Sequence, residues 1–167
     1  MIEIRQLRPD DDLRDLLPLS RALFAEYARH DPFFAIDTLR DEDITAFFAG
    51  TLNTDDGATY VALDGAAIVG YMAAFIREQA SMYVIKRVGS IAGLMVRPEY
   101  RRQGIASRLL AAVHAWMRAR GVEYVTLYTS VNNQAALGFY QRHGMRPLQT
   151  VLVGRLEPPA PEAGQEE

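Results

Sequence analysis

The chain has 167 residues, 49% of them hydrophobic, enough for one domain with a buried core. Its net charge of −3 is uneven: Glu157 to Glu167 hold four glutamates and no basic residue, and the remainder sets 17 acidic against 18 basic residues, which excludes a broad nucleic-acid-binding surface. Cysteine is absent, so disulfides, thiolate metal sites and a cysteine nucleophile are excluded. The charged start Met1-Ile2-Glu3-Ile4-Arg5 lacks signal-peptide character, and no apolar run reaches membrane-spanning length. A soluble, cytoplasmic protein with no membrane partner is expected.

Ile2, Ile4 and Leu7 alternate with polar residues and predict a first strand, ended by Pro9 and the Asp10-Asp11-Asp12 run. Those aspartates suit a helix start. Leu13, Leu16, Leu17, Leu23, Phe24 and Tyr27 then give a helical stripe, with a kink or restart at Pro18. Asp31-Pro32-Phe33-Phe34 reads as a loop. Ile44, Phe47, Phe48 and Leu52 mark one face of a second helix. Thr59 to Leu63, Asp64-Gly65 and Ala67 to Ile76 predict a β-hairpin, because Asp-Gly between apolar runs supplies the tight turn. Met82 to Ile85 either extend the sheet or line a loop. Ser90 to Val96 reads as a strand, and Ile105, Leu109, Leu110, Val113, Trp116 and Met117 as a strongly amphipathic helix closed by Gly121. Tyr124 to Thr129 is a strand, Asn133 to His143 a helix with Gly144 past it, and Leu148 to Leu156 a last strand. One domain over residues 1–156 follows, with a disordered Pro/Glu-rich tail from Glu157. The strand–helix–strand run over 90–129 implies a parallel pair with a right-handed crossover, and hence a mixed sheet with helices on both faces.

The most informative stretch is Val96-Arg97-Pro98-Glu99-Tyr100-Arg101-Arg102-Gln103-Gly104-Ile105-Ala106. It joins a strand to the amphipathic helix. The first N–H groups of a helix lack partners within it, and its dipole favours an anion there. Gly104 allows the backbone a close approach, and Arg101 and Arg102 add positive charge. This reads as a pyrophosphate cradle.

Two motifs carry a resemblance. Arg101-x-x-Gly104-x-Ala106, after Val96-Arg97-Pro98, looks like the pyrophosphate motif of the GNAT superfamily of acyl-CoA-dependent N-acetyltransferases. Asn133-x-x-Ala136, with Tyr140 and then Gly144-Met145, is similar to its Asn…Ala…Tyr…Gly-Phe signature, Met145 replacing the usual Phe. The resemblance implies an α/β fold of the GNAT type: a mixed sheet of about six strands flanked by about four helices, with a splayed parallel strand pair. The gap would lie between the strands at 90–96 and 124–129 and take the pantetheine arm of acetyl-CoA. A bulge near Leu94, Met95 and Val96 would present amides to the thioester oxygen. The backbone of Arg102, Gln103, Gly104, Ile105 and Ala106 would hold the pyrophosphate, beside Arg101. Asn133 would contact the arm, and the Tyr140 hydroxyl would lie near the sulfur.

The chemistry implied is direct attack of a primary amine on the thioester in a ternary complex. Amides can stabilise the oxygen as it gains charge, and a tyrosine can donate to the leaving thiolate. No metal is needed: His114 and His143 lie on helices without paired ligands. The strand Ser90-Ile91-Ala92-Gly93-Leu94-Met95-Val96 carries no carboxylate, so water-mediated proton loss is expected, with Glu78 as the candidate base. Phe33, Phe34, Tyr83 and Tyr128 either line the acceptor side or pack. Asp31, Asp37, Asp41, Glu42 and Asp43 either favour a cationic acceptor or are a solvated helix start. Asn133 also reads as a plain helix N-cap, and Tyr140 as a core tyrosine. A non-catalytic acyl-CoA-binding module and a longer acyl donor stay open. Pro147 and the short C-terminal segment raise the prospect of a homodimer that completes the sheet.

Overall fold

A computed structural model describes residues 1–156. Strand β1 (Glu3–Gln6) leads into a 3-10 turn over Leu13–Leu16, whose N-cap Asp12 accepts from the Arg14 N–H. Helix α1 (Leu17–His30) starts with Pro18 in its first turn, so the proline begins a new helix, where its missing N–H costs nothing. A short turn at Pro32–Phe34 leads to α2 (Asp41–Leu52). Strands β2 (Gly57–Asp64), β3 (Ala67–Glu78) and β4 (Arg87–Val96) follow. The hairpin predicted at Asp64-Gly65 is present, but Asp64 pairs with Ala67 and the two-residue turn is Gly65-Ala66, with Gly65 at φ +60° in its first position. Residues 79–86 form a loop closed by Gln79 N–H donating to the Lys86 carbonyl at 2.7 Å. Helix α3 (Ile105–Arg118), strand β5 (Val125–Leu127) and helix α4 (Gln134–Arg142) complete the order.

The sheet runs β1-β2-β3-β4-β5, antiparallel throughout except for the parallel β4–β5 pair. The 3-10 turn and helices α1 and α2 cover one face with Leu16, Leu23 and Phe48. Helix α3 covers the other, placing Leu109, Leu110, Val113 and Trp116 on Met72, Ala74 and Ile91, with Tyr140 of α4 in the same cluster. Each such buried apolar side chain contributes roughly 1.5–3 kcal/mol. Gly89 lets α3 close down on β4: a Cβ there would lie 2.4 Å from Met117 Sδ. No helix among the described residues is long and apolar enough to cross a membrane.

The structure corrects one expected strand. Leu148–Leu156 form no strand, so five strands stand among the described residues where about six were expected. Pro147 begins the segment without an N–H, and Leu148, Val151, Leu152, Val153 and Leu156 are all exposed. The apolar run Val151-Leu152-Val153 is not enough to make a strand, because the segment pairs with neither outer edge of the sheet. The expected disorder of the tail from Glu157 lies outside the described residues.

Candidate active site

The parallel pairing of β4 and β5 is short. Gly89, Ser90 and Ile91 face Val125, Thr126 and Leu127, and the register then ends although β4 continues to Val96. The strands splay there, and a cavity of about 240 Å³ opens. Leu94, Met95 and Val96 line one side, Leu127 and Tyr128 the other, and Asn133, Ala136 and Tyr140 close it from α4.

A β-bulge sets the splay. Ala73 faces Gly93 and Ala74 faces Ile91, so Ala92 has no partner. The expected bulge near Leu94, Met95 and Val96 is therefore corrected to Ala92, because pairing is regular from Gly93 to Val96. The side chains show its effect. Ile91 packs under α3, whereas a Cβ on Gly93 would meet Leu23 and Tyr71 on the opposite face. The amides turn likewise. Gly89 N–H donates toward β5, to Tyr124, while Arg97 N–H donates toward β3, to Val69. Alternation back from Arg97 directs the Leu94 and Val96 N–H groups toward the gap.

The turn after β4 has the backbone of an anion cradle. Arg102 has φ +64° and Gly104 φ +77°, and Gly104 is the N-cap of α3 without a side chain to occupy its N–H groups. Nothing lies within 4 Å of a Cβ built on Gly104, so the space before the helix is open. Ile105 is buried and anchors the helix start, while Ala106 lines the cavity. Gln103 Nε2 donates to the Glu99 carbonyl at 3.1 Å. The Arg102 side chain is exposed. Arg101 turns inward instead: Nε donates to the Val96 carbonyl at 3.0 Å and Nη2 to Glu26 Oε1 at 2.6 Å.

Asn133 caps α4, its Oδ1 accepting from the Ala136 N–H at 3.0 Å, and it also lines the cavity. Tyr140 is 9% exposed, with its ring edge-on to Phe139. Burial, and the nearby Tyr27, push the Tyr140 phenol far above its ordinary range, so it stays protonated. Tyr27 is raised as well, again chiefly by burial.

Glu78 is not brought to the cavity. It lies at the opposite end of the sheet, on the register pair with Arg87, whose Nε is 3.0 Å from its carboxylate. The splay starts five residues farther along β4, about 16 Å away at strand rise. Glu26 and Tyr27 are among the lining residues that sequence reasoning missed as site residues, with Leu23, Ala135 and Phe139. Tyr27 belongs to the apolar stripe of α1 and reads as core, and nothing local marks Glu26. The histidine assignments are sharpened too: His143 bonds Phe139 and Ser107 through its two ring nitrogens.

The acetyltransferase (GNAT) family model matches residues 14–145. The chain is 38% identical over 86 residues to N-alpha-acetyltransferase 30 of Schizosaccharomyces pombe, covering 52% of this chain and 55% of that one. It is 28% identical over 156 residues to mycothiol acetyltransferase of Streptomyces bingchenggensis, covering 93% and 46%. The chain thus spans about half the length of these curated relatives. Among solved structures it superposes on the aminoglycoside acetyltransferase AAC(6')-Iy, in complex with the bisubstrate analog CoA-S-monomethyl-acetylneamine, with TM-score 0.75. That match covers 94% of this chain and 99% of the other at 23% identity, a likeness of fold.

Proposed function

The chain belongs to the acetyltransferase (GNAT) family, and from that premise we propose that it transfers the acetyl group of acetyl-CoA to a primary amine. The observation that carries the reading is the splay of β4 from β5 after Ile91, which leaves strand amides unpaired beside a cavity.

Features of this chain fit acetyl-CoA. The open space before Gly104 and the backbone N–H groups of residues 102–106 suit a diphosphate at a helix N-terminus. The unpaired second half of β4 offers N–H and C=O groups to an amide-bearing arm, and Asn133 stands on the facing wall. Acetyl-CoA would supply the activated thioester. The chain's own groups then have separable roles. The Leu94 and Val96 amides donate to an oxygen that gains negative charge, an effect worth ~2.7–4 kcal/mol per donor. The protonated Tyr140 phenol donates to the departing sulfur. Burial of Tyr140 strengthens its hydrogen bond to the sulfur. The amine loses its proton to water, since no strand carboxylate faces the gap and Glu78 is held by Arg87.

The expected homodimer belongs to the same reading. A second copy would cover the open β5 edge and the exposed apolar residues of 148–156, and sedimentation velocity reads that directly.

The test is calorimetric titration with acetyl-CoA and CoA, followed by assay of CoA release with a panel of primary amines. Micromolar binding with turnover is the expected result. Binding without turnover on a broad panel would favour a non-catalytic acyl-CoA-binding module, and absence of binding would overturn the reading.

A further inference from the structure

The α1–α2 connection carries aromatic side chains that neither core takes up. Phe33 is 67% exposed and Phe34 is 42% exposed. Their rings stand edge to face with centroids 5.5 Å apart, and Phe34 lies 6.5 Å from Tyr27. Tyr27 is itself a wall of the cavity. An aromatic strip therefore runs from the cavity to solvent through Tyr27, Phe34 and Phe33. On the facing rim, Tyr128 lines the cavity and is 81% exposed.

This strip is held in place rather than left loose. Asp31 accepts from the Phe33 N–H at 2.9 Å, and Pro32 fixes the start of the turn. Asn132 Nδ2 donates to the His30 carbonyl at 3.0 Å, which ties the β5–α4 loop to the end of α1. Two exposed phenylalanines on an ordered turn add little to folding, and contiguous exposed apolar surface marks a binding surface.

The charges around the strip are largely engaged. Asp41 pairs with Arg21 and Asp43 with Arg40, while Asp31 caps its own turn. Glu26 is held by Arg101 and Arg29. Residues 21–43 still hold six acidic residues against three arginines, a modest negative field that suits one ammonium. What they do not offer is a row of unengaged carboxylates for a polycation.

We infer that the acceptor is a primary amine on a short linker from an aromatic body, the ring resting on Phe33 and Phe34 while the amine enters the cavity past Tyr27. The inference rests on the acetyl-transfer reading for its chemistry, but it makes a binding prediction of its own. Aromatic rings pair edge to face or offset, and the exposed Phe33–Phe34 pair leaves ring surface for a third.

The test is calorimetry with 2-phenylethylamine, n-butylamine and the aminoglycoside kanamycin, on CoA-loaded and on CoA-free protein. The ring-bearing amine is expected to bind at least about tenfold more tightly than butylamine and kanamycin. Replacing Phe33 and Phe34 together by Ala should bring its Kd to within about twofold of that for butylamine, while the Kd for CoA stays the same. Both side chains are exposed, so the variant keeps its fold, and a thermal melt checks this. Equal affinity for the two simple amines, tighter binding of kanamycin, or indifference to the double substitution would each overturn the inference. Lack of CoA binding strikes the transfer reading instead, and the CoA-free titrations still decide the ring preference.

Discussion

Arg101 and Glu26 are joined at the cavity wall, Nη2 to Oε1 at 2.6 Å, while the same guanidinium bonds the last carbonyl of β4. The side chain that the sequence offers as positive charge for a phosphate is thus committed to tying the loop to β4 and α1. Both partners are partly exposed, so the pair is worth at most about 1 kcal/mol. Arg101→Ala is expected to weaken acetyl-CoA binding by loosening the loop. Glu26→Gln should not weaken it, since it removes a negative charge near the cradle. Calorimetric titration of both variants checks this, and equal losses would show that the ion pair itself positions the loop.

Tyr140→Phe should lower kcat by about 10²-fold or more, with the Kd for acetyl-CoA changed less than about twofold. Because burial raises the phenol far above its ordinary range, Tyr140 stays protonated through neutral and mildly alkaline pH. The wild-type kcat profile should therefore show no alkaline loss assignable to this group. Stopped assays of CoA release against pH measure both, and an unchanged kcat in the variant would remove Tyr140 as the donor.

Gly104→Val puts a branched side chain at φ +77°, where its own backbone is strained, and into the space left for an anion. Affinity for CoA should fall at least about tenfold, with a cost in stability of roughly 1–2 kcal/mol from the backbone alone. A dephosphorylated fragment such as pantetheine separates the two effects. It should lose little affinity if Gly104 serves the diphosphate.

The site was legible where a residue's job is local. Gly65 at the tight turn, Pro18 at a helix start and Gly104 before α3 each need a backbone conformation that few residues supply. The left-handed turn at Gly104 and the α4 cap at Asn133 could be read for that reason. Glu78 and the bulge could not. Which end of a strand Glu78 reaches depends on its register with Arg87, and the unpaired Ala92 depends on how two strands count past each other. Tyr27 was hidden by periodicity, because a helix stripe does not distinguish a core residue from a cavity wall. Leu148–Leu156 are apolar enough to read as a strand, but whether such a run docks on the β5 edge is a tertiary outcome that the local residues do not encode.

Arg5 and Asp11 form a two-pronged pair, both contacts at 2.7 Å, with side chains under 20% exposed. The hydrogen bonds from Arg5 hold the Asp11 carboxyl below its ordinary range. Its contribution is therefore present above the ordinary carboxylate range and lost as pH falls through the lowered folded value. Asp11→Asn should cost about 1 kcal/mol at neutral pH. That deficit should shrink at acid pH, where the wild type protonates too. Urea unfolding of both proteins from neutral to acid pH reads the convergence, and a pH-independent gap would show that the pair does not carry it.

The unpaired Ala92 puts the two halves of β4 out of phase. Before it, the strand spends its outward donors on β5, and after it the same backbone keeps them unspent. One inserted residue acts as a phase shifter along a single strand, so the same element serves as scaffold at one end and receptor at the other. Deleting Ala92 would then do more than shorten the strand. It would leave Gly93 directly after Ile91 in an unbroken register with β3, with the Leu94 and Val96 N–H groups still facing away from β3, and without the bend that carries them clear of β5 the gap would narrow.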